Sequence, residues 1–176
     1  FQAATSAPSY TCNFCAAGSE FVNTQSACAS CDAGQYQDQD ASHPSVSCQT
    51  CGKGQYSVNS STACKACEEG KFQELGSATE HFCKFCGAGT KFVDTQNACS
   101  ACLDGKYQSQ NTLASATCLT CGAGQFAASA AQTCGACEEG KFQEASAAIA
   151  YACKFCAAGT AFVNTETVCA GCDSGR

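Results

Sequence analysis

Bulky apolar side chains occupy fixed positions relative to paired cysteines along this chain. A Gly stands three residues after the second Cys of every C-x-x-C pair, and in nine of the ten units an aromatic follows two or three residues later. Such a Gly indicates a turn with positive φ or a close backbone approach, and the ring can cover a disulfide. The pattern predicts a series of small hairpins, with aromatics at Phe21, Tyr36, Tyr56, Phe72, Phe92, Tyr107, Phe126, Phe142 and Phe162.

Successive cysteine pairs are separated alternately by short and long segments. The short segments place the facing cysteines 13 residues apart and the long ones 16 or 17 apart, so that one of each makes a repeat of about 35 residues. A longer alternation is visible too, because 48–82 resembles 118–152. The predicted domains are 1–11, which ends a unit begun in a preceding copy, then 12–47, 48–82, 83–117, 118–152 and 153–176.

The long units carry a second recurring side chain, a Gln directly after the aromatic. Stacked repeats would place these amides at equivalent heights, an arrangement that allows a ladder of side-chain hydrogen bonds. The four positions are Gln37, Gln73, Gln108 and Gln143.

Composition explains why the hairpins need cross-links. Cys makes up 20 of the 176 residues, whereas Leu, Ile, Val and Phe together make up only about an eighth of the chain. A chain with under about 20% of these four residues usually cannot build an ordinary core. Covalent bridges are the obvious substitute in a small extracellular protein.

Charge and hydropathy exclude several partners. The net charge is −6 and Arg176 is the single arginine, so the chain lacks the basic patch that nucleic acid requires. We expect no membrane span, because no run of about 18 apolar residues is present. With neither an initiator Met nor a signal peptide, the chain is expected to be a mature product or a fragment.

The two ends of the sequence complete one another. The unit that begins at Cys172 lacks its aromatic, and placing residue 1 after residue 176 supplies Phe1 as the aromatic and Gln2 as the long-unit Gln. The join also gives a separation of 16 between Cys172 and Cys12, as in three of the four internal long units. We therefore expect copies to follow one another head to tail, either in one polypeptide or as separate subunits.

Three chemistries compete for the cysteines. The spacing C-x-x-C-x12-C-x-x-C is compatible with zinc, but such regions usually carry basic residues, which are few here. Redox catalysis by C-x-x-C needs a βαβ-like setting with the Cys at a helix start, and ten such motifs in Gly-rich loops do not provide it. Structural disulfides in an oxidising compartment are therefore favoured.

Two disulfide pairings fit the spacing. In a ladder, the Cys before each Gly pairs with the next Cys beyond the loop, which leaves Cys12 and Cys172 over. In a crossed scheme, Cys12–Cys28 and Cys15–Cys31 would form within each repeat. Gly and the aromatic recur with every loop rather than every second one, and this favours the ladder, although sequence alone cannot decide.

The unit C-x-x-G-x-[FY]-x(n)-C-x-x-C, carried by CEEGKFQE, CLDGKYQS and CGKGQYSV, resembles the cysteine-rich hairpin modules of ephrin-receptor-like and tumour-necrosis-factor-receptor-like ectodomains. Similar tandem arrays occur in secreted proteins of algae and other protists. The resemblance implies a small, disulfide-rich fold: an elongated, solenoid-like rod of short β-hairpins and loops with little regular secondary structure. It also implies the ladder pairing: Cys15–Cys28, Cys31–Cys48, Cys51–Cys64, Cys67–Cys83, Cys86–Cys99, Cys102–Cys118, Cys121–Cys134, Cys137–Cys153, Cys156–Cys169, and Cys172 with Cys12 of the next copy.

The chain departs from the receptor pattern, because it lacks the Pro common after the second Cys and has no non-repeat receptor modules. This argues against a signalling receptor. Among the remaining candidates, Asn59 begins the one N-glycosylation sequon, Asn59-Ser60-Ser61. The acidic pairs could bind calcium, but without a D-x-[DN]-x-[DN]-G loop they are interpreted as solvated charges; they are Glu68, Glu69, Glu138 and Glu139. His43 and His81 are interpreted as surface residues.

The function expected is structural: a subunit or tandem segment of an extracellular filament, flagellar hair, stalk or surface coat, with copies of itself and glycans as partners. The alternative is a ligand-binding or adhesive cysteine-rich ectodomain, which the divergence of the long loops (ASHPSVS against GSATEHF) leaves open. We expect neither catalysis nor a cofactor, since no recurring Ser/His/Asp set or phosphate loop is present.

Overall fold

The computed structural model describes residues 11–77 and 80–173. Regular structure in this part of the chain is β only, as short antiparallel strand pairs and one isolated bridge between Phe72 and Lys84. The strands, paired β1 with β2, β3 with β4 and so on, are β1 Ser19–Glu20, β2 Ala29–Ser30, β3 Gln35–Tyr36, β4 Gln49–Thr50, β5 Gln55–Tyr56, β6 Lys65–Ala66, β7 Thr90–Lys91, β8 Ser100–Ala101, β9 Lys106–Tyr107, β10 Leu119–Thr120, β11 Gln125–Ala127, β12 Cys134–Ala136, β13 Lys141–Phe142, β14 Lys154–Phe155, β15 Thr160–Ala161 and β16 Ala170–Gly171.

Each hairpin is closed by one disulfide, and we name the hairpins by the cysteines that close them. The short hairpins are 15–28, 51–64, 86–99, 121–134 and 156–169, and the long hairpins are 31–48, 67–83, 102–118 and 137–153. An isolated pair of two-residue strands is marginal in water. Closing a loop of this length contributes roughly 3 kcal/mol on the chain-entropy model, so the disulfides stabilise the strand pairs.

The turn that opens each hairpin follows from the recurring Gly. Within the first turn of hairpin 51–64, Gln55 N–H donates to Gly52 O at 3.1 Å, which places Gly54 at the third position of the turn with φ of 71°. A turn with positive φ at that position favours Gly. The expected positive φ is confirmed at Gly18, Gly34, Gly54, Gly70, Gly89, Gly105, Gly124, Gly140 and Gly159, while Gly175 lies outside the described residues.

Sulfur and amide groups form much of the interior, together with a few apolar side chains such as Phe72 and Phe142. The first Cys of four short hairpins is at most 2% exposed, at Cys15, Cys51, Cys86 and Cys121. The four long-unit glutamines are 2–5% exposed. Large apolar side chains such as Leu103 and Phe155 are more than 70% exposed. Much of the buried layer therefore consists of cysteines and glutamines that recur along the chain.

The chain divides into two units, each with both kinds of hairpin. The first contains Phe1–Lys84 and Asp94–Ala98, and the second contains Phe85–Val93 and Cys99–Arg176. The expected fold class, a small disulfide-rich protein of short β-hairpins and loops, is confirmed. Phe1 and Gln2, on which the predicted join depends, lie outside the described residues, as does nearly all of the predicted segment 1–11.

Candidate functional site

The contacts between successive hairpins centre on the main chain of the long-unit glutamines. Gln73 O accepts from Gly54 N–H of the preceding short hairpin at 2.8 Å, and Gln73 N–H donates to Thr95 O of the following one at 3.0 Å. The same two bonds recur at Gln37, Gln108 and Gln143. Each of these glutamines thus connects three consecutive hairpins, an arrangement that we call the glutamine contact.

The side-chain amide of the glutamine strengthens the contact with the preceding hairpin. Nε2 of Gln73 donates to the carbonyls of Gly52 (3.0 Å) and Gln55 (3.3 Å), and Oε1 accepts from Leu75 N–H. Gln108 and Gln143 make the same three bonds with the equivalent residues. The amides therefore bond to the main chain, rather than to one another as the predicted ladder would require.

Gln37 is the exception among the four. Its main chain bonds to Gly18 and Ser60 as in the other repeats, but its buried Nε2 and Oε1 have no hydrogen-bond partner among the described residues. An unpaired buried amide costs free energy, so this contact is weaker than its equivalents.

Glycines of the short hairpins form a second recurring contact, which we call the glycine seat. A Cβ at Gly54 would lie 2.8 Å from Cγ of Gln96, at the tip of the second hairpin along the chain. A Cβ at Gly124 would lie 2.8 Å from Cγ of Glu166 in the same way. Only a residue without a side chain allows this approach.

The tips that occupy these seats share one turn. Oδ1 of Asp94 accepts from the backbone N–H groups of Gln96 (2.7 Å) and Asn97 (2.8 Å). The hydrogen bond from the Asn97 side chain, followed by these backbone bonds, lowers the pKa of Asp94. Asn23 and Asn164 cap the same turn in hairpins 15–28 and 156–169. Asx turns of this kind are formed by Asn and Asp, which explains why one of the two stands at these tips.

Two cysteines remain outside the nine disulfides. Cys12 and Cys172 are exposed thiols. Cys172 N–H donates to Gly159 O at 2.9 Å, which repeats the bond of Cys67 to Gly54 O at 2.7 Å. The backbone around Cys172 is therefore placed like that around a cysteine that already closes the next hairpin.

Asn59 lies exposed at the tip of hairpin 51–64. Its Oδ1 accepts from the N–H (2.9 Å) and the hydroxyl (2.8 Å) of Ser61, the third residue of the sequon. The acceptor side chain is thus on the surface in an Asx turn, and its glycosylation stays a prediction.

The expected surface position is right for His43 and wrong for His81. The His43 side chain is 53% exposed and lies 3.1 Å from Asp40. Nε2 of His81 instead accepts from Gly34 N–H at 3.4 Å, and its Nδ1 is buried. The His81 side chain is therefore half-buried against hairpin 31–48.

Two long hairpins, 67–83 and 137–153, are ion-paired. In hairpin 67–83, Lys71 lies 2.7 Å from Glu68 and Lys84 lies 3.2 Å from Glu74. The equivalent pairs of hairpin 137–153 are Lys141–Glu138 at 2.7 Å and Lys154–Glu144 at 2.9 Å. Lys84 and Lys154 also lie over the rings of Phe72 and Phe142, 5.8 Å from the centroids. Glu69 and Glu139 are exposed.

These pairs affect the carboxyl groups. Hydrogen bonds from Lys71, Lys141 and Lys154 lower the pKa values of Glu68, Glu138 and Glu144. For Glu74, burial acts to raise the pKa, but hydrogen bonds from its own backbone N–H and from Lys84 lower it overall.

The other two long hairpins, 31–48 and 102–118, are serine-kinked. Ser45 and Ser115 have positive φ angles of 54° and 52°. The carbonyl of the residue after each serine accepts a hydrogen bond from the preceding short hairpin: Val46 O accepts from Phe21 N–H, and Ala116 O accepts from Phe92 N–H. Sequence reasoning missed this division. The signal was the position two residues before the second Cys of each long hairpin, occupied in turn by Val46, His81, Ala116 and Tyr151.

Neither metal ligation nor membrane insertion is indicated in the described part of the chain. Residues 11–77 and 80–173 contain no group of three His, Cys, Asp or Glu side chains able to hold a metal ion. A search of the same residues finds no helix of the length and hydropathy needed to cross a bilayer.

No protein-family model matches the chain, and no curated protein is similar to it. The disulfide-rich hairpins are typical of structural proteins and extracellular ectodomains rather than of enzymes, and nine disulfides indicate an oxidising, extracellular environment.

Proposed function

We propose that this chain is a structural segment of an extracellular filament, flagellar hair, stalk or coat, in which copies follow one another head to tail. The observation that carries the proposal is the glutamine contact, which uses the same atoms in every repeat. A contact between each hairpin and the next can continue without limit, because nothing in it closes the array.

The exposed thiols support the same assembly. Cys172 and Cys12 occupy the two positions at which the ladder of disulfides would continue, and a bridge between Cys172 and Cys12 of the next copy would extend it. The join would also supply Phe1 and Gln2 as the aromatic and the glutamine of the hairpin formed between copies. Tandem copies in one polypeptide and separate linked subunits both satisfy this arrangement.

A ligand-binding ectodomain is the second candidate, and equivalent small cavities support it. One, of about 110 Å³, is lined by Tyr56, Lys71 and Phe82, and its counterpart, of about 100 Å³, is lined by Phe126 and Lys141. Ligand sites usually have volumes of about 300–1,000 Å³. Two larger cavities, of about 290 and 300 Å³, are lined by Leu103 and Lys106 and by Gln37 and Gln49 and reach only the lower end of that range. The contacts between hairpins recur more regularly than these cavities, so assembly remains the preferred function.

Peptide mapping with and without reductant tests the assembly. Protein secreted through an oxidising compartment should yield a peptide that joins Cys12 to Cys172 of another copy, or one that reads through Arg176 into Phe1. Ten bridges within single copies would contradict the proposal. Treatment with an N-glycosidase in the same experiment should convert Asn59 to Asp, and an unmodified Asn59 peptide would exclude the glycan there.

A further inference from the structure

We propose that the exposed Gly159 is the seat for the tip 23–26 of a second copy of this chain, which it receives as Cys172 meets Cys12 of that copy. The inference rests on the proposed head-to-tail assembly and adds its non-covalent interface. It identifies a surface on each copy, both formed by residues that the structure describes.

The internal glycine seats define what such an interface requires. Seats Gly18, Gly54, Gly89 and Gly124 each have the tip of the second following hairpin within 4 Å of a hypothetical Cβ. Their occupants are Ser60, Thr95 with Gln96, Ala130, and Thr165 with Glu166. The approach is closest at Gly54 and Gly124, where the nearest tip atom lies 2.8 Å from the Cβ, and looser at Gly18 and Gly89, where it lies 3.0 and 3.6 Å away. Because all four receive a tip, Gly159 is a candidate for the same kind of contact.

Gly159 has the conformation of a seat without an occupant. Its φ is 80°, within the range of the filled seats, and a Cβ there would meet nothing within 4 Å among the described residues. Gly54 and Gly124 are buried, whereas Gly159 is exposed.

The cysteine that opens the same hairpin is also less covered. Cys156 is half-buried, while Cys51 and Cys121, which open hairpins with filled seats, are fully buried. An added hairpin tip would cover this sulfur as it does elsewhere in the chain.

The tip of hairpin 15–28 has the same turn as the tip that fills the Gly54 seat. Asn23 caps it with bonds of 2.8 and 2.7 Å to the N–H groups of Gln25 and Ser26, the turn that Asp94 forms at the occupied seat. Thr24-Gln25 is the same dipeptide as Thr95-Gln96, which fills Gly54, and both Thr24 and Gln25 are exposed.

The register of the join agrees with this placement. Thr95 lies 41 positions after Gly54, and Thr165 lies 41 positions after Gly124. Counted through Arg176 into Phe1 of a following copy, Thr24 also lies 41 positions after Gly159. One spacing therefore brings the tip to the seat and Cys12 to Cys172.

The covalent step that fixes the interface is an ordinary thiol oxidation. The Cys172 thiol of one copy and the Cys12 thiol of the next form one disulfide and release two protons and two electrons. A disulfide oxidant such as oxidised glutathione accepts them and becomes two thiols. A seated tip holds the two copies together and so raises the effective concentration of one thiol near the other.

The test compares the full chain with Gly159→Asn, with oxidised glutathione as the oxidant. Asn tolerates positive φ, and its side chain finds open space at Gly159 in an isolated copy but would occupy the space of a docked tip. We expect Gly159→Asn to slow formation of the Cys12–Cys172 bridge at least about tenfold, measured by quenched time courses and peptide mapping, without changing the unfolding midpoint. Gly54→Asn is the matched control: it should lower the midpoint, because its seat is already filled by Gln96.

The outcomes separate the two proposals. If the wild-type chain forms the bridge and Gly159→Asn forms it equally fast, the seat is wrong and the assembly stands. If the wild-type chain forms no bridge between separate copies, the seat is wrong, and the assembly then stands only if peptide mapping finds the sequence that reads through Arg176 into Phe1. Gln25→Trp places the obstacle on the tip instead and should slow the reaction as well; an unchanged rate with this variant would also count against the seat.

Discussion

The ion-paired and serine-kinked long hairpins have the same disulfide, glycine turn and main-chain contacts but differ in their loop side chains. Both kinds make the main-chain bonds of the glutamine contact. In the ion-paired hairpins, the shorter of the two Nε2–carbonyl distances is 3.0 Å for both Gln73 and Gln143. In the serine-kinked hairpins, the two distances for Gln108 are 3.4 and 3.5 Å, and the amide of Gln37 has no partner among the described residues. The ion-paired hairpins thus hold the preceding hairpin more tightly.

The two kinds also reach different neighbours. Serine-kinked hairpins accept a backbone N–H from the hairpin just before them. In the second unit, Tyr151 of an ion-paired hairpin donates its hydroxyl to Leu103 O and Lys106 O, two hairpins back. Cysteine, glycine and glutamine thus form the contacts common to all the long hairpins. The residues of the variable loops determine whether a hairpin contacts the first or the second hairpin before it.

The largest expected effect comes from removing the amide. Gln73→Ala or Gln143→Ala removes two hydrogen bonds to carbonyls of the preceding hairpin and leaves the backbone N–H of Leu75 or Ala145 without its acceptor. It should lower the free energy of unfolding by about 2–3 kcal/mol. Guanidinium denaturation with the disulfides intact measures it. Gln37→Ala is the matched control and should cost about 1 kcal/mol or less; equal losses at all three positions would remove the distinction between the hairpins.

The next largest loss of stability should come from giving a serine-kinked hairpin the residue that an ion-paired hairpin has two positions before its second Cys. Ala116 is fully buried, so Ala116→Tyr places the side chain of an ion-paired hairpin where there is no room and should cost about 1–3 kcal/mol. The control is Leu113→Tyr in the same loop, where the side chain is 40% exposed and little change is expected. A neutral Ala116→Tyr, measured by the same denaturation, would mean that the loops are interchangeable.

Removing the long-reaching hydroxyl should have a smaller effect. Tyr151→Phe keeps the ring against Ala148 and Cys121 but loses the bonds to the hairpin 102–118, and should cost about 1 kcal/mol. Hydrogen exchange should speed up at backbone groups of hairpin 102–118. The control is Tyr36→Phe, which removes only an exposed hydrogen bond to Gln49 and should change stability little. If the two variants lose the same stability, the Tyr151 bonds to hairpin 102–118 do not stabilise the protein.

The ion pairs should make the smallest contribution to folding stability, and they should make it only while the glutamates are ionised. Because the folded-state pKa values of Glu74 and Glu144 are lowered, their stabilisation is present above the unfolded pKa of about 4.3 and is lost as pH falls through the folded value. Glu74→Gln with Glu144→Gln should lower the thermal midpoint by no more than about 2 °C at pH 6. The difference from wild type should shrink as the pH falls below the unfolded pKa of about 4.3; a difference that grows on acidification would contradict the pairing.

The frame of the molecule could be predicted because it is encoded locally. A Gly three residues after a Cys specifies its own turn, and a neighbouring aromatic needs no distant partner to be half-buried. His81 and Tyr151 could not be placed this way, since their partners lie 47 residues away for His81 and 45 and 48 for Tyr151. The glutamine amides were assigned the wrong partner because two-residue strands leave nearby carbonyls free, and an amide reaches those first.

The C-x-x-C spacing has a mechanical consequence. Each cysteine that ends one loop lies three residues before the cysteine that opens the next. A pulling force applied to the ends of the ladder therefore passes through sulfur bridges and short connecting segments, and the loops carry no load. Stretching therefore cannot draw out the residues within the hairpins while the bridges persist. Single-molecule extension should show a stiff, nearly inextensible strand that lengthens in discrete steps once a reductant is added.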